Sequence, residues 1–348
     1  MRYQLLGRTG LRVSEVCLGT AQFGAVGLYG RTGHITQKDA DYIVGTVLDA
    51  GVNFFNTAQR YSDGMSEEVL GTALGRRRDE AIVITKIHPG RKPGPIEGGL
   101  SRKNIIEGCH ASLRRLKTDY IDLYQIHEFD PLTPLETALR ALDDLVREGK
   151  VRHIGCSNFP AWQVTKGLSI SDRNGWERFS THEVRYSLVS RMVEYEVLPA
   201  CQDQGVSVLA WSPLHGGYLG GRYRRGLPHP SGTRFNEMKN DFWPVDPERL
   251  FDIVEELAAV AENHNATISQ AAINWVLKKP GVASAIVGMR NVEQIKENLA
   301  ATGWQLTSEE EARLDLLSRP PMDYPYYTFD AKAGDYARHH LLGMYQEM

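Results

Sequence analysis

Eight short runs of apolar and β-branched residues recur along this chain, with amphipathic segments between several of them. The runs are "EVCLGT" from Glu15, "NFFNTA" from Asn53, "IVITKI" from Ile82, "IDLYQIH" from Ile121, "VRHIGCSN" from Val151, "FSTHEV" from Phe179, "SVLAWSPL" from Ser207 and "SAIVGM" from Ser284. Short, near-continuous apolar strands of this kind are those covered on both faces, as in a parallel sheet. The intervening segments carry helix signals. Thr36-x-x-Asp39 predicts a cap for "QKDADYIVGTVLDA", which stops at Gly51, while Ser66 precedes "EEVLGTAL" and Ser101 precedes "RKNIIEGCHASLRRL". Pro134 stands at a first helical position for "PLETALRALDDLVREGK", with Lys150 at its end. Strands alternating with helices in this number predict a closed (β/α)8 TIM barrel more strongly than an open sheet. No Gly-x-Gly-x-x-Gly follows the first run, which weakens the open dinucleotide-binding alternative. Ahead of the barrel, "RYQLLGRTGLRVSEV" predicts a short hairpin turning at Thr9-Gly10.

A chain of 348 residues can bury a large core without staples, and no linker or low-complexity segment divides it. A single domain over 1–348 is predicted, with a C-terminal tail from about 319. The Gly/Arg/Pro-rich stretch from His215 to about Pro247 reads as a long loop after the seventh barrel strand, where function often sits. A formal net charge of −3 argues against a nucleic-acid or anionic-membrane partner. Cys17, Cys109, Cys156 and Cys201 are far apart with no C-x-x-C pair, so neither a disulfide framework nor a zinc cluster is predicted. No apolar run is long enough to span a bilayer and "MRYQLLGRTG" has no signal core, so the expectation is a soluble, cytoplasmic protein. Nothing in the sequence fixes an oligomeric state.

A barrel of this kind gathers function at the C-terminal ends of its strands. Those ends carry Asn56, with Tyr61 in the following loop, then Lys86, His127, Ser157 with Asn158, Glu183, and Trp211 with Ser212. A lysine closing the apolar run "IVIT" is expensive to desolvate unless the site uses its charge. Taken singly, each residue has an ordinary structural explanation: a rim tyrosine, a hydrogen-bonded core histidine, an ion-paired lysine, an asparagine capping the helix ahead of Pro160. Their joint placement on consecutive strand ends favours proton chemistry. An unperturbed phenol titrates near pH ~10, too high for efficient acid–base work at neutrality, and an adjacent ammonium lowers that value. A neighbouring imidazole orients a carbonyl oxygen or helps relay the proton. His127-Glu128 and His339-His340 are isolated pairs without a third ligand at metal spacing, and no Gly-x-Ser-x-Gly elbow supports a serine hydrolase.

From "LGRTGLRVSEVCLGT" to "IVGMRNVEQIKENL" the chain resembles the aldo-keto reductase family. The resemblance implies a barrel-top tetrad of aspartate, tyrosine, lysine and histidine that reduces carbonyls with NADPH. Tyr61 in "QRYSDGMSEEVLG", Lys86 in "VITKI" and His127 in "LYQIH" match three of its members. The resemblance also implies an NADP(H) site. Ser157 and Asn158 in "GCSNF" match the pair that bonds the nicotinamide carboxamide, and Trp211 in "AWSPL" matches the aromatic stacked on the ring. Ser212, Leu214 and Gly216 match positions that hold the pyrophosphate. In "GMRNVEQIKEN", which begins at Gly288, Arg290 matches the 2′-phosphate contact, while Gln294 and Asn298 match the adenine side. Gly19 and Thr20 match residues lining the floor near the nicotinamide.

Two positions depart from the family pattern. Asn56 stands where the family's "DTA" aspartate pairs with the lysine, and Glu183, which the resemblance places with the cofactor-binding residues, replaces the glutamine that usually precedes the tyrosine of "THEVRYSLVSR" by three residues. The formal charge of the matched site is unchanged. With no aspartate beside it, and only a neutral hydrogen bond from Asn56, Lys86 is expected to be less neutralised. Its field on Tyr61 would then be stronger and the phenolate more accessible, which suits alcohol oxidation. The reading is hydride transfer between NADP(H) and a carbonyl or alcohol substrate. The alternative is a nicotinamide-binding regulatory or interaction module with residual activity. Loops near Tyr29 and Phe129 and the tail "MDYPYYTFDAKAGDYARHHLLGMYQEM" are expected to build the substrate pocket, and polar residues among the tail's aromatics permit a sugar-like substrate.

Overall fold

Strands β1 (Tyr3–Leu5) and β2 (Arg12–Ser14) pair antiparallel, with Tyr3 opposite Ser14 and Leu5 opposite Arg12. In this computed structural model residues 1–24, 26, 35–90, 98–228, 245–321 and 325–326 are described. Tyr29 and almost all of the C-terminal tail lie outside the described residues. The hairpin turn takes left-handed backbone at Gly7 and Gly10, φ +54° and +78°. At Gly7 a Cβ would sit 2.5 Å from the carbonyl oxygen of Ser180, so glycine is the residue that fits there.

Eight parallel strands follow and close on themselves. They are β3 (Val16–Gly19), β4 (Phe54–Asn56), β5 (Ile82–Ile87), β6 (Ile121–Ile126), β7 (Val151–Ser157), β8 (Phe179–Arg185), β9 (Ser207–Trp211) and β10 (Val282–Val287). Each pairs with the next, and β10 returns to β3. Alternation sorts their side chains. Cys17, Phe54, Ile84, Leu123, Leu209 and Ala283 fill the barrel together with Leu6 and Val13 of the hairpin. Neighbours such as Val16, Leu18, Phe55 and Val83 join the larger core against the helices. The hairpin is tied to the N-terminal ends of the strands. Gly7 N–H donates to Ser207 Oγ at 2.7 Å, and Ser284 Oγ donates to the Ser14 carbonyl at 2.8 Å. That plug leaves the opposite end for a site.

The described helices run α1 (Gln37–Asp49), α2 (Met65–Leu74), α3 (Arg102–Leu116), α4 (Leu135–Arg147) and α5 (Ala161–Asn174). They continue with α6 (Val197–Gln204), α7 (Pro247–Asn263), α8 (Ile268–Lys278), α9 (Val292–Ala300) and α10 (Ser308–Leu317). Thr36 and Asp39 form the capping box at α1, and Ser101 caps α3 through the Asn104 N–H. Two helix starts differ from expectation. Pro134 takes the cap position just outside α4. Ser66 lies inside α2, which starts behind Gly64 at φ +95°, and its buried hydroxyl donates to the Thr20 carbonyl at 2.7 Å. Beneath α2 the buried Glu67 accepts from Thr85 Oγ1 at 2.5 Å and pairs with Arg115 of α3 at 2.5 Å, clamping both helices to β5. Among the described residues no helix is long and apolar enough to cross a membrane.

Candidate active site

At the C-terminal end of the barrel the ammonium of Lys86 is completely buried and held on three sides. Its Nζ donates to Asn56 Oδ1 at 2.7 Å and to the Thr57 carbonyl at 3.1 Å, and lies 3.3 Å from Glu183 Oε2. Asn56 closes the triangle by donating Nδ2 to the same Glu183 oxygen at 2.7 Å. This corrects the expectation that Lys86 lacks an adjacent carboxylate. Glu183 reaches the ammonium across the barrel interior from β8, the strand opposite the β4 that carries Asn56. Cys17 lies within the field of both, and burial pushes its thiol well above the usual range.

Tyr61 stands over this triangle. The chain after β4 winds through left-handed backbone at Ser62 and Asp63, φ 49° and 53°, before Gly64 at 95°. Left-handed backbone at two consecutive non-glycine residues is unfavourable. The tight turn leaves the half-buried Tyr61 ring with its centroid 5.1 Å from Lys86 Nζ and the His127 ring edge-on at 5.7 Å. Thr20 braces the turn from below. Its hydroxyl donates to the Asn56 carbonyl at 3.0 Å and meets Ser66 Oγ at 2.9 Å. Thr20 is fully buried and supports Asn56 from behind, while Gly19 packs so closely that a Cβ would meet Ile286 at 3.1 Å.

His127 is neutral at ordinary pH. Burial lowers its pKa well below the usual range, and the charges of Lys86, His88 and Arg60 push the same way. Its Nδ1 is buried without a hydrogen-bond partner. His88 is not among the residues that the strand ends predict. Its ring lies 5.4 Å from that of His127, with Nε2 2.6 Å from Arg60 Nη1 and 3.3 Å from Glu128. The signal available was its spacing two residues after Lys86, the period that returns a strand residue to the same face. At the end of β8 the Arg185 guanidinium lies 6.0 Å from the Trp211 ring centroid.

The residues matched to a nicotinamide site lie on the neighbouring strand ends. The indole Nε1–H of Trp211 donates to Asn158 Oδ1 at 3.1 Å, and Asn158 Nδ2 donates to the His127 carbonyl at 3.1 Å and to Ser157 Oγ at 3.0 Å. These bonds, and a left-handed backbone at φ 59°, show that Asn158 is not a helix cap. After β9, Ser212, His215, Gly216 and Gly217 all take positive φ. Ser212 Oγ accepts the Gly216 N–H at 3.2 Å, and the Gly217 N–H goes to the half-buried Leu214's carbonyl at 2.9 Å. Beyond β10, exposed Gly288 and Arg290 lead into α9, whose cap Asn291 accepts the Gln294 N–H at 2.9 Å. Gln294 Oε1 in turn accepts the Arg290 backbone N–H at 2.9 Å, while Asn298 is buried. An aromatic face fixed by an amide at the end of β9, with an exposed arginine before α9 after the adjacent strand β10, suits a nicotinamide dinucleotide.

Comparison with known proteins identifies the family of the fold. Residues 15–319 match the model of the Aldo/keto reductase family. The chain is 36% identical over 323 residues to the uncharacterized oxidoreductase YrpG of Bacillus subtilis (strain 168), covering 89% of this chain and 93% of the relative. It is also 36% identical over 306 residues to a probable voltage-gated potassium channel subunit beta of Arabidopsis thaliana, covering 86% and 91% respectively. Among solved structures it is similar to a thermostable aldo-keto reductase in complex with the inhibitor epalrestat. The TM-score is 0.71 at 31% identity, covering 91% of this chain and all of that one.

Proposed function

The chain belongs to the aldo/keto reductase family, and from that premise we propose that it transfers hydride between NADP(H) and a carbonyl or alcohol substrate. The observation that carries this reading is the Tyr61 ring set 5.1 Å from the buried Lys86 ammonium with His127 at its edge. When bound, the nicotinamide supplies or takes the hydride. Trp211, Asn158 and Ser157 would hold its ring and carboxamide, Ser212, Leu214 and Gly216 the pyrophosphate, and Arg290 a 2′-phosphate.

The chain's own residues handle the proton. In reduction the Tyr61 phenol gives its proton to the oxygen of the carbonyl; in oxidation the phenolate takes the hydroxyl proton. Lys86 stabilises that phenolate by its charge. With Nδ1 buried and unpaired, Nε2 is the His127 nitrogen available to donate to the substrate oxygen, and a neutral imidazole does so without adding charge. Turnover with a panel of aldehydes and polyols, using NADPH and NADP⁺, tests the reading.

Similarity to a protein described as a probable potassium channel subunit beta favours a second reading, a nicotinamide-binding regulatory or interaction module. Such a protein retains NADPH but gives no substrate-dependent rate. The same panel separates the two.

A further inference from the structure

We infer that Glu183 is the counter-charge of Lys86 and, through it, a positioning residue for the proton-transfer step, with Asn56 as the bridge that makes the arrangement possible. The inference rests on the reading of Tyr61 as acid and base. It is carried by the buried triangle of Lys86, Asn56 and Glu183. All three residues are at most 2% exposed, so water supplies almost none of their solvation.

The chemistry of the groups admits one arrangement. A lysine ammonium has donors only, and an ionised carboxylate accepts only. Asn56 lies between them and must therefore turn Oδ1 to Lys86 and Nδ2 to Glu183, as it does. An aspartate at position 56 would set a second carboxylate against the Glu183 oxygen, which now accepts from Asn56 at 2.7 Å. A glutamine at 183 would leave the ammonium buried without a counter-ion, a strongly unfavourable state. The two positions are interlocked: between them they hold one carboxylate. Here it stands on β8, and the β4 side, which leads directly to Tyr61, presents a neutral amide.

Charged and titratable groups surround the Lys86, Tyr61 and His127 cluster from several strands. Lys86 and His88 come from the end of β5, His127 from the end of β6 and Glu183 from β8, with Cys17 on β3 and Arg60 and Glu128 at the rim. Glu183 alone supplies a buried negative charge within ion-pair distance of Lys86 among the described residues.

The test compares the native protein with Glu183→Gln, Asn56→Asp and the double exchange Asn56→Asp/Glu183→Gln. Each is melted without substrate and profiled for kcat/KM of alcohol oxidation against pH. Glu183→Gln should lower the apparent pKa of the oxidation limb by about one unit, because the ammonium then acts on the phenolate unopposed. Asn56→Asp should raise it. Each single exchange should lower the melting temperature, and the double exchange should recover most of both losses while returning the pKa close to native. An oxidation pKa unmoved by Glu183→Gln would reduce Glu183 to a structural residue. Melting losses that add in the double exchange would mean that the two positions do not share one counter-charge. A native protein without any turnover would end the functional reading and the positioning role together, whereas the melting cycle would still decide the counter-charge.

Discussion

Trp211 and Asn158 are joined edge to amide, the indole N–H donating to the asparagine oxygen at 3.1 Å. The same asparagine donates to the His127 carbonyl and to Ser157, so one side chain ties the ends of β6, β7 and β9 around the opening. Its backbone sits at φ 59°, where an alanine is strained and a glycine is not. Asn158→Gly therefore isolates the side chain. With hydrogen bonds worth about 0.5–1.5 kcal/mol each, NADPH affinity should fall roughly tenfold. Asn158→Ala should show the same loss with an added drop in melting temperature. Native NADPH affinity in the glycine variant, read by quenching of tryptophan fluorescence, would show that the amide does not set the ring.

Tyr61 is the group on which the proposed proton transfer turns. Tyr61→Phe keeps the ring that faces Lys86 and His127 and removes only the hydroxyl. Turnover should fall by about 10²–10⁴-fold, the usual contribution of a positioned acid–base group, with NADPH binding within a few-fold of native. Ordinary turnover in the phenylalanine variant would remove Tyr61 from the mechanism.

Much of this site was readable from the sequence because polar residues closing apolar runs are conspicuous. Lys86 and His127 each follow such a run, and with Glu183 and Trp211 they lie at or near the C-terminal ends of β5, β6, β8 and β9. The meeting of Lys86 with Glu183 was not readable, since it spans the interior between β5 and β8 and exists only once the barrel closes. Local signals failed where backbone geometry overrode them. Ser66 reads as a cap before two glutamates, yet the left-handed turn through Gly64 starts the helix earlier and turns the hydroxyl inward.

Two helical glycines should respond to alanine in opposite directions. At Gly45 in α1 a Cβ would meet nothing within 4 Å. Gly45→Ala should stabilise the protein by about 0.5–1 kcal/mol through helix propensity. At Gly71 in α2 a Cβ would fall 2.4 Å from the carbonyl oxygen of Leu116, where α2 crosses the end of α3. Gly71→Ala should destabilise by about 1–3 kcal/mol as the helices are forced apart. Urea midpoints read both signs, and an indifferent Gly71→Ala would contradict the close crossing.

Arg290 stands exposed just before α9, with its backbone N–H tied to Gln294 at 2.9 Å and its side chain at a helix N-terminus. A charge-assisted contact to a 2′-phosphate is worth about 1.5–3 kcal/mol, so Arg290→Ala should weaken NADPH roughly ten- to a hundredfold while NADH changes little. Equal losses for the two cofactors, measured by calorimetry, would mean that Arg290 does not read the phosphate.

The last expectation concerns acid stability and stands apart from catalysis. His182 on β8 is wholly buried and points both ring nitrogens at partners: Nε2 accepts the Phe159 N–H at 3.1 Å, and Nδ1 lies 3.7 Å from Cys201 Sγ. Burial lowers its pKa to about 3, whereas an unfolded histidine titrates near ~6.5. Between those values the unfolded chain binds a proton that the folded chain refuses. The stability His182 contributes is therefore complete above about pH 6.5 and is lost progressively as the pH falls toward 3. At pH 4.5 the loss from this one residue should reach roughly 2–3 kcal/mol. His127, lowered in the same direction by burial and its neighbouring cations, steepens the fall. His182→Gln lacks the titrating group, so its unfolding free energy should start lower at pH 7.5 but decline less by pH 4.5. Urea unfolding of both proteins at the two pH values measures the difference directly. Parallel declines would show that the acid sensitivity arises elsewhere in the fold.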